Sequence, residues 1–75
     1  MRWTPDRLDQ LEHAIRRGFR VSLTRRGTEY VVVARRLVTD GNREALVGFL
    51  PMTGEELSFV LDEVDRLEVI SSPPS

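Results

Sequence analysis

The sequence predicts an α+β domain that is mostly β: one N-terminal helix followed by a five-stranded antiparallel barrel. Three observations carry this expectation. Residues 4–17 hold helix start and stop signals around an apolar stripe at helical spacing. From Phe19 onward the apolar period shortens to two, with Phe19, Val21 and Leu23 alternating with Arg20, Ser22 and Thr24. The last third carries apolar runs at 45–50, 57–61 and 67–70, separated by a Pro-Met-Thr-Gly turn and a charged hook. That rhythm is how a small antiparallel barrel closes.

The helix is specified from both ends. Thr4 is an N-cap, Pro5 suits the first helical position, and Asp6 complements the dipole. Trp3 and Leu8 have the spacing of a hydrophobic staple, and Leu8, Leu11, Ala14 and Ile15 form the stripe. Arg16-Arg17-Gly18 is a stop signal. The helix is expected to cap one open end of the barrel.

The first strand ends at Arg25-Arg26-Gly27-Thr28, a turn in which Gly27 supplies positive φ. The second strand, about residues 29–38, contains Tyr30-Val31-Val32-Val33-Ala34, apolar on both faces. A long strand bending across a barrel and pairing on both sides has this pattern; so does an exposed edge used for dimerisation. Thr39-Asp40-Gly41-Asn42 turns the chain into a third strand at 44–50, where Gly48 suggests a bend or bulge. The fourth strand, 55–61, buries Leu57, Phe59 and Leu61. Asp62-Glu63-Val64-Asp65 reads as one tight helical turn, and Leu67, Val69 and Ile70 close the sheet. A helix plus five short strands in this order suggests an SH3-like or Sm-like barrel over residues 1–70, with 71–75 as a disordered tail.

The chain has 75 residues and no cysteine. A domain this small buries only about 60% of its unfolded surface, so stability must come from core patterning, helped by any self-association. No apolar run is long enough to span a bilayer, and no signal peptide or membrane role is expected, so the cytoplasm is the expected location. All 11 basic residues are arginine; a GC-rich genome, a warm habitat or a use for bidentate anion contacts would each produce this. Residues 1–43 carry ten Arg against five acids, a balance of +5. Residues 44–75 carry one Arg against seven acids, a balance of −6.

From Leu11 to Ile70 the chain resembles a WYL domain, the small Sm-like sensor module attached to many bacterial transcription regulators. The likeness lies in "LEHAIRRGFRVSL" and "ALVGFLPMTGEELSFVLDEVDRLEVI". The family's Trp-Tyr-Leu triplet falls on Glu44, Ala45 and Leu46, and its "FRLDRI" segment on Phe59, Val60, Leu61, Asp62, Glu63 and Val64. Phe59, Leu61 and Asp62 are kept. Both arginines, on which the family's proposed nucleic-acid or nucleotide role partly rests, are replaced by Val60 and Glu63. The chain is also similar to the Rof family of Rho-termination inhibitors, at Gly27, Ala34, Leu37, Val38, Asn42, Glu44, Leu46, Val47, Gly54, Glu55, Leu61, Asp62 and Val64. That resemblance implies action by protein contact.

No enzyme chemistry is expected. The lone histidine, His13, reads as a surface residue of the helix; Asp62, Glu63 and Asp65 lack the spacing of a calcium loop; and there is no Gly-rich phosphate loop. No catalytic residue, metal or cofactor is assigned. The expected function is a binding or regulatory module acting through protein contact or self-association, a homodimer included. Tyr30, Val32, Asp62 and Glu63 are the contact candidates. The alternative is a nucleic-acid or anionic-ligand site built from Arg20, Arg25, Arg26, Arg35 and Arg36.

Overall fold

The computed structural model describes residues 2–70, with the backbone alone for Asp40. The tail at 71–75 lies outside the described residues. Helix α1 (Pro5–Arg17) is followed by β1 (Arg20–Arg25), β2 (Thr28–Asp40), β3 (Arg43–Phe49), β4 (Glu56–Val60), a 3-10 turn (Leu61–Glu63) and β5 (Val64–Ile70). The strands form one antiparallel sheet in the order β4-β3-β2-β1-β5.

The helix begins and ends where its signals place it. The Thr4 side chain accepts a hydrogen bond from the Arg7 backbone N–H at 3.3 Å, and Gly18 caps the far end with its N–H directed at the Ala14 and Ile15 carbonyls. Leu11 and Ala14 are buried, and Trp3, Leu8 and Ile15 pack against the core. Trp3 does more than a staple would. Its indole N–H donates to the Leu61 carbonyl at 2.8 Å, tying the helix entry to the 3-10 turn at the opposite end of the chain.

Strand β2 organises the sheet. Its residues 28–33 pair with β1, and residues 33–40 pair with β3. At Arg35 the ladder slips, so that Ala34 faces Gly48 while Arg36 faces Val47. This bulge bends the strand and reverses which residues point inward. Val32 and Ala34 lie in the core before it; after it, Leu37 stands opposite the buried Leu46. The apolar run at 30–34 is therefore apolar on both faces because one face meets the core and the other carries Val31 and Val33 outward. Gly48 is the point of closest approach. A Cβ there would lie 2.9 Å from both a Val32 methyl and the Val33 carbonyl oxygen.

The β1–β2 hairpin has a two-residue turn in which Arg26 (φ 52°) and Gly27 (φ 79°) are both left-handed. This geometry matches the strand twist. The sequence assigns the positive φ to Gly27 alone; Arg26 shares it because the turn type requires it at both central residues.

The 3-10 turn starts one residue earlier than its charged sequence suggests, at Leu61, because Val64 is buried and opens β5. Strand β5 pairs with β1, slipping register between Thr24 and Arg25. Among the described residues no ladder joins β4 to β5, so the sheet is not closed. The core fills the concave side, with Phe59, Leu11, Leu23 and Leu46 its largest fully buried side chains. No helix among the described residues is long and apolar enough to cross a membrane.

Replacing Gly48 by Ala forces a methyl against a backbone oxygen that the bent strand cannot easily withdraw. The expected cost is about 1–3 kcal/mol, read as a lower urea midpoint with an unchanged m value. A Gly48→Ala protein with the wild-type midpoint would show that β2 and β3 are not in tight contact there.

Candidate binding face

The alternation that buries Val21 and Leu23 turns Arg20 and Ser22 to the convex side of the sheet. Across that side, register places Ile70, Arg20, Val33, Phe49 and Glu56 in one row. Val31 lies two residues along β2 on the same face. The turn after β3 rises beside it, held by backbone bonds from Leu50 to Glu55 (2.9 Å) and from Gly54 to Leu50 (2.7 Å). Arg20, Val31, Leu50, Pro51, Met52 and Thr53 then line a groove of about 520 Å³. Among the described residues the exposed large apolar side chains are Val31 (41%), Ile70 (38%) and Met52 (95%), and all three border Arg20.

The five arginines proposed from the sequence do not form one patch. Arg25 follows Val21 and Leu23 onto the inner face, where its guanidinium lies 4.9 Å from the Phe59 ring centroid and 5.3 Å from that of Tyr30. It donates to the Tyr30 hydroxyl and to the Ser58 carbonyl on the free edge of β4, each at 3.4 Å. Arg26 pairs with Glu63 at 3.4 Å. These two sit at the far end of β1 from Arg20, roughly 16 Å away at strand rise, and brace the hairpin against β4 and the 3-10 turn.

Arg20, Arg35 and Arg36 do share one end. Arg35, on the bulge, lies over the Phe49 ring at 5.5 Å, and Arg36 pairs with Glu56 at 3.8 Å. Arg36 also borders a cleft with Glu12, Ile15, Arg16 and Leu37, so the helix contributes Arg16 to this side. Sequence reasoning used Arg16 only as a helix stop. Its helical position, one turn beyond Glu12 and two beyond Leu8, is the sign that it follows that face onto the sheet.

The protein-contact candidates fare differently. Val32 is fully buried, so its side chain is part of the core and not of any surface, a correction that follows from strand alternation, which turns Val32 and Ala34 to the same inner face. Tyr30 is half-buried beneath Arg25, its ring centroid 5.1 Å from that of Phe59 and tilted 60° to it. Glu63 is engaged by Arg26, while Asp62 is exposed beside a shallow cleft with Trp3, Asn42 and Glu44. His13 is exposed and edge-on to Phe19 at 5.9 Å. Among the described residues no three His, Cys, Asp or Glu side chains gather as a metal site requires.

No family model matches the chain, and no curated protein matches it. Among solved structures it is similar to proteasome accessory factor B/C (PafBC) of Arthrobacter aurescens, with a TM-score of 0.75 and 21% identity. The likeness covers 96% of this chain and 13% of that one, so this chain corresponds to a small part of a much longer protein. It supports a WYL-like fold; the similarity to Rof gains no support from it.

Arg25 is expected to matter for stability rather than binding. Arg25→Ala should lower the unfolding free energy by about 1–2 kcal/mol, since it strips a guanidinium from two rings and a carbonyl. Arg26→Ala, which removes an exposed ion pair, should change it by less than about 0.5 kcal/mol. Equal urea midpoints for the two variants would contradict this division.

Proposed function

We propose that this chain is a non-enzymatic, cytoplasmic binding module of the WYL-like type, serving transcription-related regulation and engaging a protein partner through the convex face of its sheet. Its main support is the gathering of Val31, Ile70 and Met52 around Arg20. Exposed apolar side chains scattered singly carry no message, but clustered ones mark interaction sites. Met and Arg beside apolar side chains are also the composition that interface centres favour. The bent sheet is read as an SH3-like or Sm-like barrel left open between β4 and β5, with Arg25 and Arg26 spanning the gap. The WYL resemblance implies a sensor module, and the short match within PafBC fits a unit that works beside other domains. Of the acidic residues at the 3-10 turn, Glu63 serves the seam, since it is already paired with Arg26.

A second reading has its own observation. Arg20, Arg35 and Arg36 share one end with Phe49, which would give an anion or a nucleic acid both charge and one aromatic face. Against it, Arg36 is already paired with Glu56, and Phe49 is half-buried beneath Arg35. Single-strand binders stack successive bases on exposed rings.

Fluorescence anisotropy with labelled oligothymidylate and oligouridylate at roughly 50 mM and 200 mM salt separates the two. Protein docking predicts no saturable binding at either salt. Saturable binding that falls steeply with salt and disappears in Arg20→Glu and Arg35→Glu would replace the first reading with the second.

A further inference from the structure

We propose that the groove on the convex face takes an extended acidic–apolar peptide segment of a different protein, with Arg20 pairing its carboxylate while Val31, Leu50 and Met52 receive its apolar side chains. This deepens the protein-docking reading and rests on it. Arg20 is half-buried, and its register partners are Val33 and Ile70. The other groove residues are apolar or neutral: Val31, Leu50, Pro51, Met52 and Thr53. Among the described residues Arg26 and Arg36 each have a glutamate partner, and Arg20 has none. A guanidinium set among apolar walls is complementary to an anion with an apolar body, because the walls exclude water from a bidentate pair that is weak when solvated. The wall opposite β2 is built for contact. The turn is fixed by its backbone bonds and by the Glu55 N–H donating to the Thr53 hydroxyl oxygen at 3.2 Å, while the Met52 side chain it presents is almost wholly exposed. A thioether on a rigid turn adapts to a partner's side chains at little cost.

Charge and shape select among occupants. A polyphosphate laid along this face would meet Glu56 at the end of the Arg20 row, and Glu68 in the next row across from Ser22 and Val31. A single carboxylate at Arg20 lies three strands from Glu56 and has only Glu68 as an acidic diagonal neighbour, and the groove has no aromatic ring on which a base could stack. A second copy of the chain fits poorly. Its exposed large apolar side chains among the described residues are Val31 and Met52 in the groove and Ile70 beside Arg20, and a two-fold contact there would set Arg20 close to its own copy.

Selection of random peptides displayed on phage against the immobilised chain supplies the probe. Enriched peptides are expected to carry Asp or Glu within one or two positions of Leu, Ile, Met or Phe. A labelled synthetic peptide of the enriched sequence should bind at least about tenfold more weakly to Arg20→Glu and to Met52→Asp. The same loss should follow amidation of its carboxylate side chain, and Arg26→Glu, at the far end of the sheet, should leave binding unchanged. Circular dichroism melts of the two groove variants should match the wild type. No enriched peptide, enrichment of basic peptides, or binding indifferent to Arg20→Glu would each overturn the proposal. If binding is indifferent to Arg20→Glu but lost in Val31→Glu, docking on the convex face survives while the carboxylate clamp does not. Concentration-dependent dimers that Val31→Glu abolishes would assign the face to a second copy instead. Competition by oligothymidylate would overturn both this proposal and the protein-docking reading.

Discussion

One backbone, β2, has to serve two ladders that run along different halves of its length and on opposite flanks. A flat strand cannot do this within so small a domain. The extra residue at Arg35 bends it, and the bend brings β3 against the first half of the strand so closely that only a residue without a side chain fits at position 48. The remaining architecture follows. The concave side collects Val32, Ala34, Leu46 and Phe59, the helix covers it with Leu11 and Ala14, and the convex side is left with Val31, Val33 and Phe49. The bulge that makes the core also aims Arg35 across the Phe49 ring.

The sheet stays open, and side chains rather than a fifth ladder tie its β4 edge and the 3-10 turn to the rest of the domain. Arg25 reaches from β1 to the Ser58 carbonyl and rests on Tyr30 and Phe59; Arg26 meets Glu63; the Trp3 indole holds the Leu61 carbonyl. The arginines of one hairpin therefore behave as structural parts. Arg20, at the other end of the same strand, is half-buried on the convex face among apolar neighbours. Charge balance along the chain, positive in the first 43 residues and negative afterwards, gave no hint of this division. It arises because a strand six residues long points its ends to opposite sides and opposite ends of the sheet.

The surface that results differs from the one a WYL resemblance brings to mind. Positions matching the family's arginines in the closing segment are Val60 and Glu63, and here Glu63 is bound to the hairpin. Exposed apolar area and an unpaired cation are concentrated on the convex face instead, beside a turn that carries Met52 outward. A fold held in common with part of PafBC thus carries a set of exposed residues of its own.

Much of the fold was legible because it is written in local signals. Thr4, Pro5, Asp6 and Gly18 bound the helix, the period-two pattern marks β1, the turns after β1, β2 and β3 fall where Gly and Pro stand, and Gly48 announces the tight bend. The alternation that buries Val21 and Leu23 also reaches Arg25, so its inward position is written in the strand pattern, although the turn pattern Arg25-Arg26-Gly27-Thr28 overlaps it. What the linear order could not disclose was distance. Arg20 and Arg25 share one short strand yet serve opposite faces, Val32 is sealed while its neighbour Val31 is exposed, and Met52 and Ile70 come to the same arginine from turns and strands far apart in the chain. The sequence by itself determined which segments are helix or strand and which residues are apolar. Only the tertiary structure decided which of those residues meet, because that depends on the bend in β2, set by packing between strands rather than by any residue's own preference.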